Sequence, residues 1–557
     1  IIATLHERAT KDDIKRLYNW RSALHVLDYN DESLTKFKKL LHHVAIKPLV
    51  LRCPEGRRLV AYLFSLDLSL IGELYRAIKA QIPCCRKSLR EKFGEVLFRV
   101  WRAAESGDAL VEIEERVLQD LMFHAIHAST TAMAVALRQI LAYVHDQKRQ
   151  RGVDQMLLKL WEPILFRALT MANPHVRRNA ATLFVEAFPL QDSSLAAVEL
   201  DKLLNDQFER LAVLLKDDCV SVRVVAVHGV CRVLALYWDL IPTVAAHHLL
   251  TTLVKELAHD AAANTVRIAV LTGLKYLLTQ NISAPCLALV KGLLSSLAPL
   301  VHDGSERVRA AMLELCLVLS KVRGLHWQQL GRPEAMIEAM LARLPIERTP
   351  MQLRLTRLLL PLYLPSASKQ KQAQTSRFVA LIANGSPAAR CMLTHSPHFA
   401  TTSASMVLLR LLVSSILSDE SNPEKLLEPS TPTELSRRTV QLPPAQLARC
   451  LDNLAVLVEA LAPTLSAMPH TCGDDEATVL ASSADSLSAV LTEAVMEAIS
   501  GAASTSMSAQ RALTRIAAWL PAGAVPWLSA DCLRQIAASQ PGVSWTRLVP
   551  LITCACA

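Results

Sequence analysis

The sequence predicts an all-α fold, an α-α superhelical solenoid built from repeated helix pairs, and three observations carry that prediction. Composition is the first: 16 glycines in 557 residues and aromatics at 5% leave Leu, Ala, Val and Arg dominant, the usage of packed amphipathic helices rather than of sheets with tight turns. The second is a repeat. A Val-Arg pair recurs at positions 176, 222, 266 and 308, spaced by 46, 44 and 42 residues, the length of a two-helix HEAT or armadillo unit of ~40–47 residues. The third is the stripe behind each valine. Val222 is followed by Ala226, Gly229, Val230 and Val233, and Val308 by Met312, Leu315, Cys316 and Leu319, which lie on one helix face. A lone helix pair leaves such a stripe partly wet; stacked neighbours bury it in a continuous core.

Along the chain, Ile71 to Ala104 and Val117 to Val144 each read as a helix pair, with Leu89, Phe93, Val96, Leu97, Val100 and Ala104 striping one helix. The clearest repeats fill residues 157–325: Pro174-His-Val-Arg177, Val220-Ser-Val-Arg223, Asn264-Thr-Val-Arg267 and Glu306-Arg-Val-Arg309. Asp217, Asp260 and Asp303 precede the last three in the turn between helices, where each is expected to cap the second helix and pair with Arg223, Arg267 or Arg309 as a structural ladder. The first copy offers Asn173-Pro174 instead, a cap and a first-turn proline. Gln352 to Leu364 and Met406 to Leu417 also pattern as helix. Pro423, Pro429, Pro432, Pro443 and Pro444 then crowd a polar stretch no packed helix tolerates. The expected organisation is a solenoid over 1–417, a flexible proline-rich linker over 418–444, and further helical repeats over 445–557. Those repeats comprise Ala445 to Met468, kinked or broken at Pro463, then Ala477 to Ile499 and Ala509 to Leu520, with a loop at Pro469 to Glu476.

Several function classes are set aside by what the residues lack. No Gly-x-x-x-x-Gly-Lys-Ser/Thr phosphate loop, Gly-x-Ser-x-Gly elbow or His-Glu-x-x-His helix occurs, so no enzyme, cofactor or metal chemistry is expected. His42-His43 and His247-His248 lack the i, i+4 spacing with which two imidazoles share a metal on one helix. The 13 cysteines form no Cys-x-x-Cys pair and read as reduced core thiols, Cys231, Cys286 and Cys316 among them, which points to a cytosolic or nuclear setting. No apolar run is read as reaching the roughly 18 residues of a membrane span, and the chain reads as soluble. It opens on Ile1-Ile2 and stops inside an apolar run, so both ends read as cuts. The net charge of +9 is uneven: from Ser366 onward 13 Lys+Arg face 14 Asp+Glu, which places the basic character in the first two thirds.

Specific strings lie on this repeat frame. They are Glu55-Gly-Arg-Arg58 followed by Leu59 to Phe64, Phe123-His-Ala-Ile-His127, Leu160-Trp-Glu-Pro-Ile-Leu165, Leu183-Phe-Val-Glu-Ala-Phe-Pro189 and His302-Asp-Gly-Ser-Glu-Arg-Val-Arg309. With them the chain resembles the CAP-G-type HEAT-repeat, non-SMC subunits of condensin II. The resemblance runs in order from about Arg16 to Pro365, fades through the proline-rich stretch and is faint beyond Ala445, as for an internal piece of a longer subunit. It implies a non-catalytic nuclear, chromosome-bound scaffold. Such a subunit binds the condensin II kleisin and through it the SMC ATPases, and helps engage double-stranded DNA in mitotic chromosome condensation.

Candidate contacts follow from charge. Arg76, Lys79, Arg86, Lys87, Arg90, Lys92, Arg99 and Arg102 stand against only Glu91 and Glu95. Lys92, Arg99 and Arg102 fall opposite the apolar stripe, as one expected basic ridge able to neutralise phosphates without reading sequence. The plain alternative is a solvated helix face. Lys148, Arg149 and Arg151 form a second basic run, where cations at a helix C-terminus are also expected from the macrodipole. Arg177 and its repeat partners read as structural, while Arg178 is the freer DNA candidate. For the kleisin, successive second helices line a groove; Tyr237, Trp238 and Trp327 are conceivable anchors, though repeat aromatics usually belong to the core. Thr431-Pro432 offers a site where a proline-directed kinase adds about two negative charges. The competing reading is a different HEAT scaffold, a nuclear transport receptor or phosphatase scaffold without DNA binding. The basic repeats weigh against it, since receptors for basic cargo tend to be acidic.

Overall fold

The computed structural model describes residues 10–104, 107–280, 283–365, 371–417 and 442–466, and of the chain beyond them 491, 496, 499–501, 506–517 and 519. Among these residues every regular element is helical, and the fold is the all-α HEAT-type solenoid class. The chain divides into two compact units, Ile1–Leu297 and Ala298–Ala557.

In the first unit, α1 (Lys11–Asn19), α2 (Thr35–Ile46), α3 (Pro48–Arg52) and α4 (Pro54–Leu63) lead into the paired helices. The pairs are α5 (Leu68–Gln81) with α6 (Lys87–Ala103), and α7 (Asp108–Glu112) running through a widened π-turn segment into α8 (Asp120–Ile126) with α9 (Thr131–Asp146). Then come α10 (Val153–Ala168) with α11 (Pro174–Ala187), α12 (Ala197–Leu215) with α13 (Val220–Leu236), and α14 (Thr243–Thr251) with α15 (Asn264–Thr279). The second helix of each pair packs on the next, α4 to α6, α9, α11, α13 and α15 in turn. Their stripes are the core: Val222, Ala226, Val230 and Cys231 on α13 are 0% exposed. Burial pushes the Cys231 thiol up to about 12, so it is a packing group and not a nucleophile. Small residues set how closely the row packs. A Cβ on Gly229 would meet Val185 of α11 at 2.2 Å, and one on Gly273 would meet the Cys231 sulfur at 2.6 Å; glycine serves here through its missing side chain.

After α16 (Ala284–Leu293), the second unit holds α17 (Glu306–Leu319), α18 (Pro333–Arg343), α19 (Thr349–Tyr363), α20 (Lys371–Ala383), α21 (Pro387–His395), α22 (Thr402–Leu417), α23 (Pro444–Ser466) and α24 (Met507–Ala517). The second-helix row α17, α19, α21, α23 repeats the same stacking. On α17, Val308, Met312, Leu315, Cys316 and Leu319 are 0% exposed. Trp327, 1% exposed, is core rather than an anchor.

Two sequence expectations change. The helix α23 is not broken at Pro463 but continuous through it. Ala284–His302 is helical throughout, tightening from α16 into a narrower turn, and with mean hydropathy 1.7 it is long and apolar enough to cross a membrane. Lys291 interrupts its apolar run; α16 buries Cys286, Val290 and Leu293 and packs beside α14 as the first helix of a repeat. Nearly all of the 418–444 stretch and most of 467–557 lie outside the described residues.

Candidate functional site

The repeat arginines are the place to begin, because their geometry decides which cations remain for a partner. Three of the four donate through one terminal nitrogen to the carbonyls five and six residues upstream: Arg177 to Ala172 and Met171, Arg223 to Asp218 and Asp217, Arg309 to Gly304 and Asp303. This ties the helix start to its own turn. The rest of the guanidinium reaches the following repeat. Arg177 grips the Asp217 carboxylate at 2.7 and 2.9 Å, Arg223 meets Asp260 at 2.8 Å, and Arg309 grips Glu347 at 2.6 and 2.8 Å. Arg267 donates to the Asp260 carbonyl at 2.6 Å.

The expected ladder is therefore displaced by one repeat. Arg177, Arg223 and Arg309 each take the backbone of their own turn and a carboxylate of the next, so Arg177, set apart in the sequence, is a full member. Glu347 supplies a rung that no Asp–Val-Arg spacing announces. Nor do the aspartates cap the second helices: Asp217, Asp260 and Asp303 accept from the amides of Cys219, Ala262 and Ala263, and Ser305 in the turn ahead of the helix. The pairs are mostly buried, with Arg223 and Asp260 side chains 12% and 10% exposed. Burial alone would raise the Asp217 carboxyl, but the bonds from Arg177 and the Cys219 amide overcome it and hold it below the usual carboxylate range.

The basic ridge on α6 is not three free cations. Glu95, 7% exposed, draws Arg57 of α4 at 2.8 Å, Arg99 at 3.0 Å and Lys92 at 3.6 Å. Burial pushes this carboxyl up, and the bonds from Arg57 and Arg99 bring it below its ordinary value. Arg57 also donates to the carbonyls of Leu51 and Arg52, the same i−6 and i−5 lock as the repeat arginines. The correction has a simple cause: a single glutamate in a basic run looks minor in sequence, but packing α4 beside it turns it into a node.

The remaining candidates disperse. Lys79 pairs with Asp120 at 2.6 Å, and Tyr75 donates to the same carboxylate at 2.7 Å; Arg76 is exposed and bonds the Gly72 carbonyl. Arg86 and Lys87 lie exposed at the start of α6. Arg178 contacts Thr131 and Asn179 at 3.5 Å. Lys148 donates to the Phe188 carbonyl and sits over the Tyr237 ring at 5.4 Å. Burial, reinforced by Arg232, lowers it to about 8, so Lys148 is a structural amine. Thr431 lies outside the described residues.

One group does converge. At the C-terminal ends of α6 and α9, Arg102 donates to the Arg151 carbonyl at 2.9 Å. Arg149 and Arg151 are exposed beside it, and neither side chain has an ion-pair partner among the described residues. Arg232 of α13, which the sequence reading passed over, is exposed and adds its charge near Lys148. The second helices also share a face. Arg178, Thr182 and Glu186 on α11, Val224, His228 and Arg232 on α13, and Ile268, Thr272 and Tyr276 on α15 recur at i, i+4, i+8 in the repeat register, and none is fully buried; Glu186 pairs with Arg138. No group of three or more His, Cys, Asp or Glu among the described residues is placed to hold a metal.

A family model described as the condensin II non structural maintenance of chromosomes subunit matches residues 43–192. The chain is 34% identical over 410 residues to the condensin-2 complex subunit G2 of Xenopus laevis, covering 73% of this chain and 35% of the relative. The Homo sapiens subunit G2 is 35% identical over 386 residues, covering 69% and 33%, and that of Mus musculus 32% over 453, covering 80% and 39%. The chain spans about a third of the length of these relatives. Among solved structures, a Pds5–Scc1 complex chain superposes with TM-score 0.33 at 12% identity, covering 98% of this chain and 88% of that one. Importin beta gives 0.32 at 11%, covering 99% and 80%. At these scores neither likeness carries an inference.

Proposed function

The chain belongs to the family of condensin II non-SMC subunits, and from that premise we propose that it is a non-catalytic scaffold with two contact surfaces. One is the shared face of α11, α13 and α15, which takes an extended segment of the condensin II kleisin, the link to the SMC ATPases. The other is the arginine rim at the ends of α6 and α9, which takes double-stranded DNA. The setting is the nucleus and the mitotic chromosome, with phosphorylation at Thr431 in the 418–444 stretch as a means of tuning partner binding and residues 445–557 continuing the helical repeats.

The single observation that carries the DNA reading is the grouping of Arg102, Arg149 and Arg151 with no ion-pair partner for any of them among the described residues. Uncompensated guanidiniums on a protein surface displace phosphate counterions without reading bases. The kleisin reading is supported by the mixed apolar and hydrogen-bonding character of a face that repeats every second helix, the surface on which helical-repeat proteins hold extended segments. An assay of the chain on duplex DNA, with and without a kleisin segment and at two salt concentrations, tests both. Charge reversal at Arg102, Arg149 and Arg151 should weaken binding and flatten the log–log salt dependence by about 1 per side chain. Unchanged affinity would exclude the rim.

A further inference from the structure

Outside these surfaces the first unit carries a cleft of about 640 Å³ between the end of α2, the short α3 and the turn joining α5 to α6. Its charge is one-sided. Lys47, Arg52 and Arg86 line it together with His43, and no aspartate or glutamate among the described residues does. The Arg52 and Arg86 guanidiniums are exposed and have no ion pair or side-chain hydrogen bond among the described residues, in contrast to Arg57 only a turn away, which Glu95 neutralises. Val44, Ile46, Pro48 and Leu89 give the same cleft an apolar lining. Cations of one sign around a low-dielectric concavity focus potential and attract an anion.

We propose that this cleft docks a short acidic segment of a partner protein, with Arg52 and Arg86 clamping its carboxylates or phosphates and an apolar partner side chain resting among Val44, Ile46 and Leu89. Guanidinium forks match carboxylate and phosphate bidentately, and arginine clusters are a recurring device for acidic-motif recognition. The apolar lining selects a peptide over duplex DNA. Backbone phosphates lie on the outside of a stiff cylinder, with nothing apolar to fill a recess, whereas an extended chain can alternate acidic and apolar side chains. Arg86 thereby leaves the DNA-contacting set and becomes a peptide clamp.

Cys84, exposed, and Cys85, half-buried, line the cleft, which supplies a reporter that needs no substitution. The probe is a short fluorescein-labelled peptide alternating Glu and Leu, with a phosphoserine counterpart and a duplex oligonucleotide as comparators, added to the whole chain. Expected are saturable binding of the acidic peptide and slowed alkylation of Cys84 and Cys85, read by mass spectrometry. Binding should fall at least tenfold in R52E/R86E, and in the milder R52Q/R86Q should the double reversal fold poorly. No protection of the two thiols by peptide would overturn the proposal. So would equal affinity in the glutamine variant, or protection by the duplex alone.

Discussion

Two stretches of this chain use arginine in opposite ways. From α11 to α15 the Val-Arg arginines bond within the fold: Arg177 and Arg223 each put one terminal nitrogen on their own turn and reach a carboxylate of the following repeat, and Arg267 bonds the Asp260 carbonyl. From α5 to the end of α9 the repeats are irregular, and the cations there split between a buried node at Glu95 and a rim without an ion-pair partner among the described residues. The regular pattern, most visible in sequence, is thus the region with least charge left for a partner. A guanidinium is structural wherever the adjoining turn offers a carboxylate, and available only where the chain withholds one.

Stability should break along the same line. Asp217→Ala removes the carboxylate that Arg177 grips and opens the turn at Cys219, leaving a mostly buried guanidinium unpaired. Urea unfolding should show a loss of about 3 kcal/mol, the scale for stripping one partner from a buried pair. At the rim, Arg151→Ala should shift stability by less than about 0.5 kcal/mol. Comparable losses at both positions would erase the distinction.

Packing gives a smaller effect. Gly229→Ala forces a methyl against Val185, and overpacking of that kind costs about 1–3 kcal/mol. Ala at Gly292, whose added Cβ meets nothing within 4 Å, should be tolerated in the same melting experiment.

Two bases at the end of the first stretch, His145 and Lys148, sharpen the contrast through pH. His145 is held down to about 3 by burial, with Lys148 and Arg232 adding repulsion, and its Nε2 accepts from Trp161 at 3.2 Å. Below pH 6.5 the unfolded chain takes up a proton the folded one refuses, so stability falls as pH drops from 6.5 towards 3. His145→Gln should flatten that fall. Lys148, at about 8 rather than 10.5, gives the same sign in a higher window. The unfolded chain stays protonated across it, so stability rises with pH from 8 towards 10.5, and Lys148→Met should remove that rise in pH-dependent urea titrations.

Much of this was legible in the sequence, for identifiable reasons. The Val-Arg register and the stripes behind Val222 and Val308 fixed the helix pairs, because a helix that must bury one face can only do so at that period. What the period cannot tell is whose carboxylate an arginine meets. Asp217 is near both Arg223 in sequence and Arg177 in space, and only stacking chooses Arg177; Glu347, 38 residues beyond Arg309, carries no local signal at all. Glu95 looked like a gap in a basic run because Arg57 lies on another helix. Arg102 and Arg151 meet for the same reason, 49 residues apart.

The central claim is that the repeat arginines hold repeat to repeat and do not serve a partner. A double-mutant cycle on Arg223 and Asp260, followed by urea unfolding with duplex-DNA affinity measured on the same proteins, tests it most directly. The expected result is a coupling of about 2 kcal/mol, within the range for directly paired residues, with DNA affinity of the folded protein unchanged. Additive single effects together with a loss of DNA affinity on Arg223→Ala would contradict it.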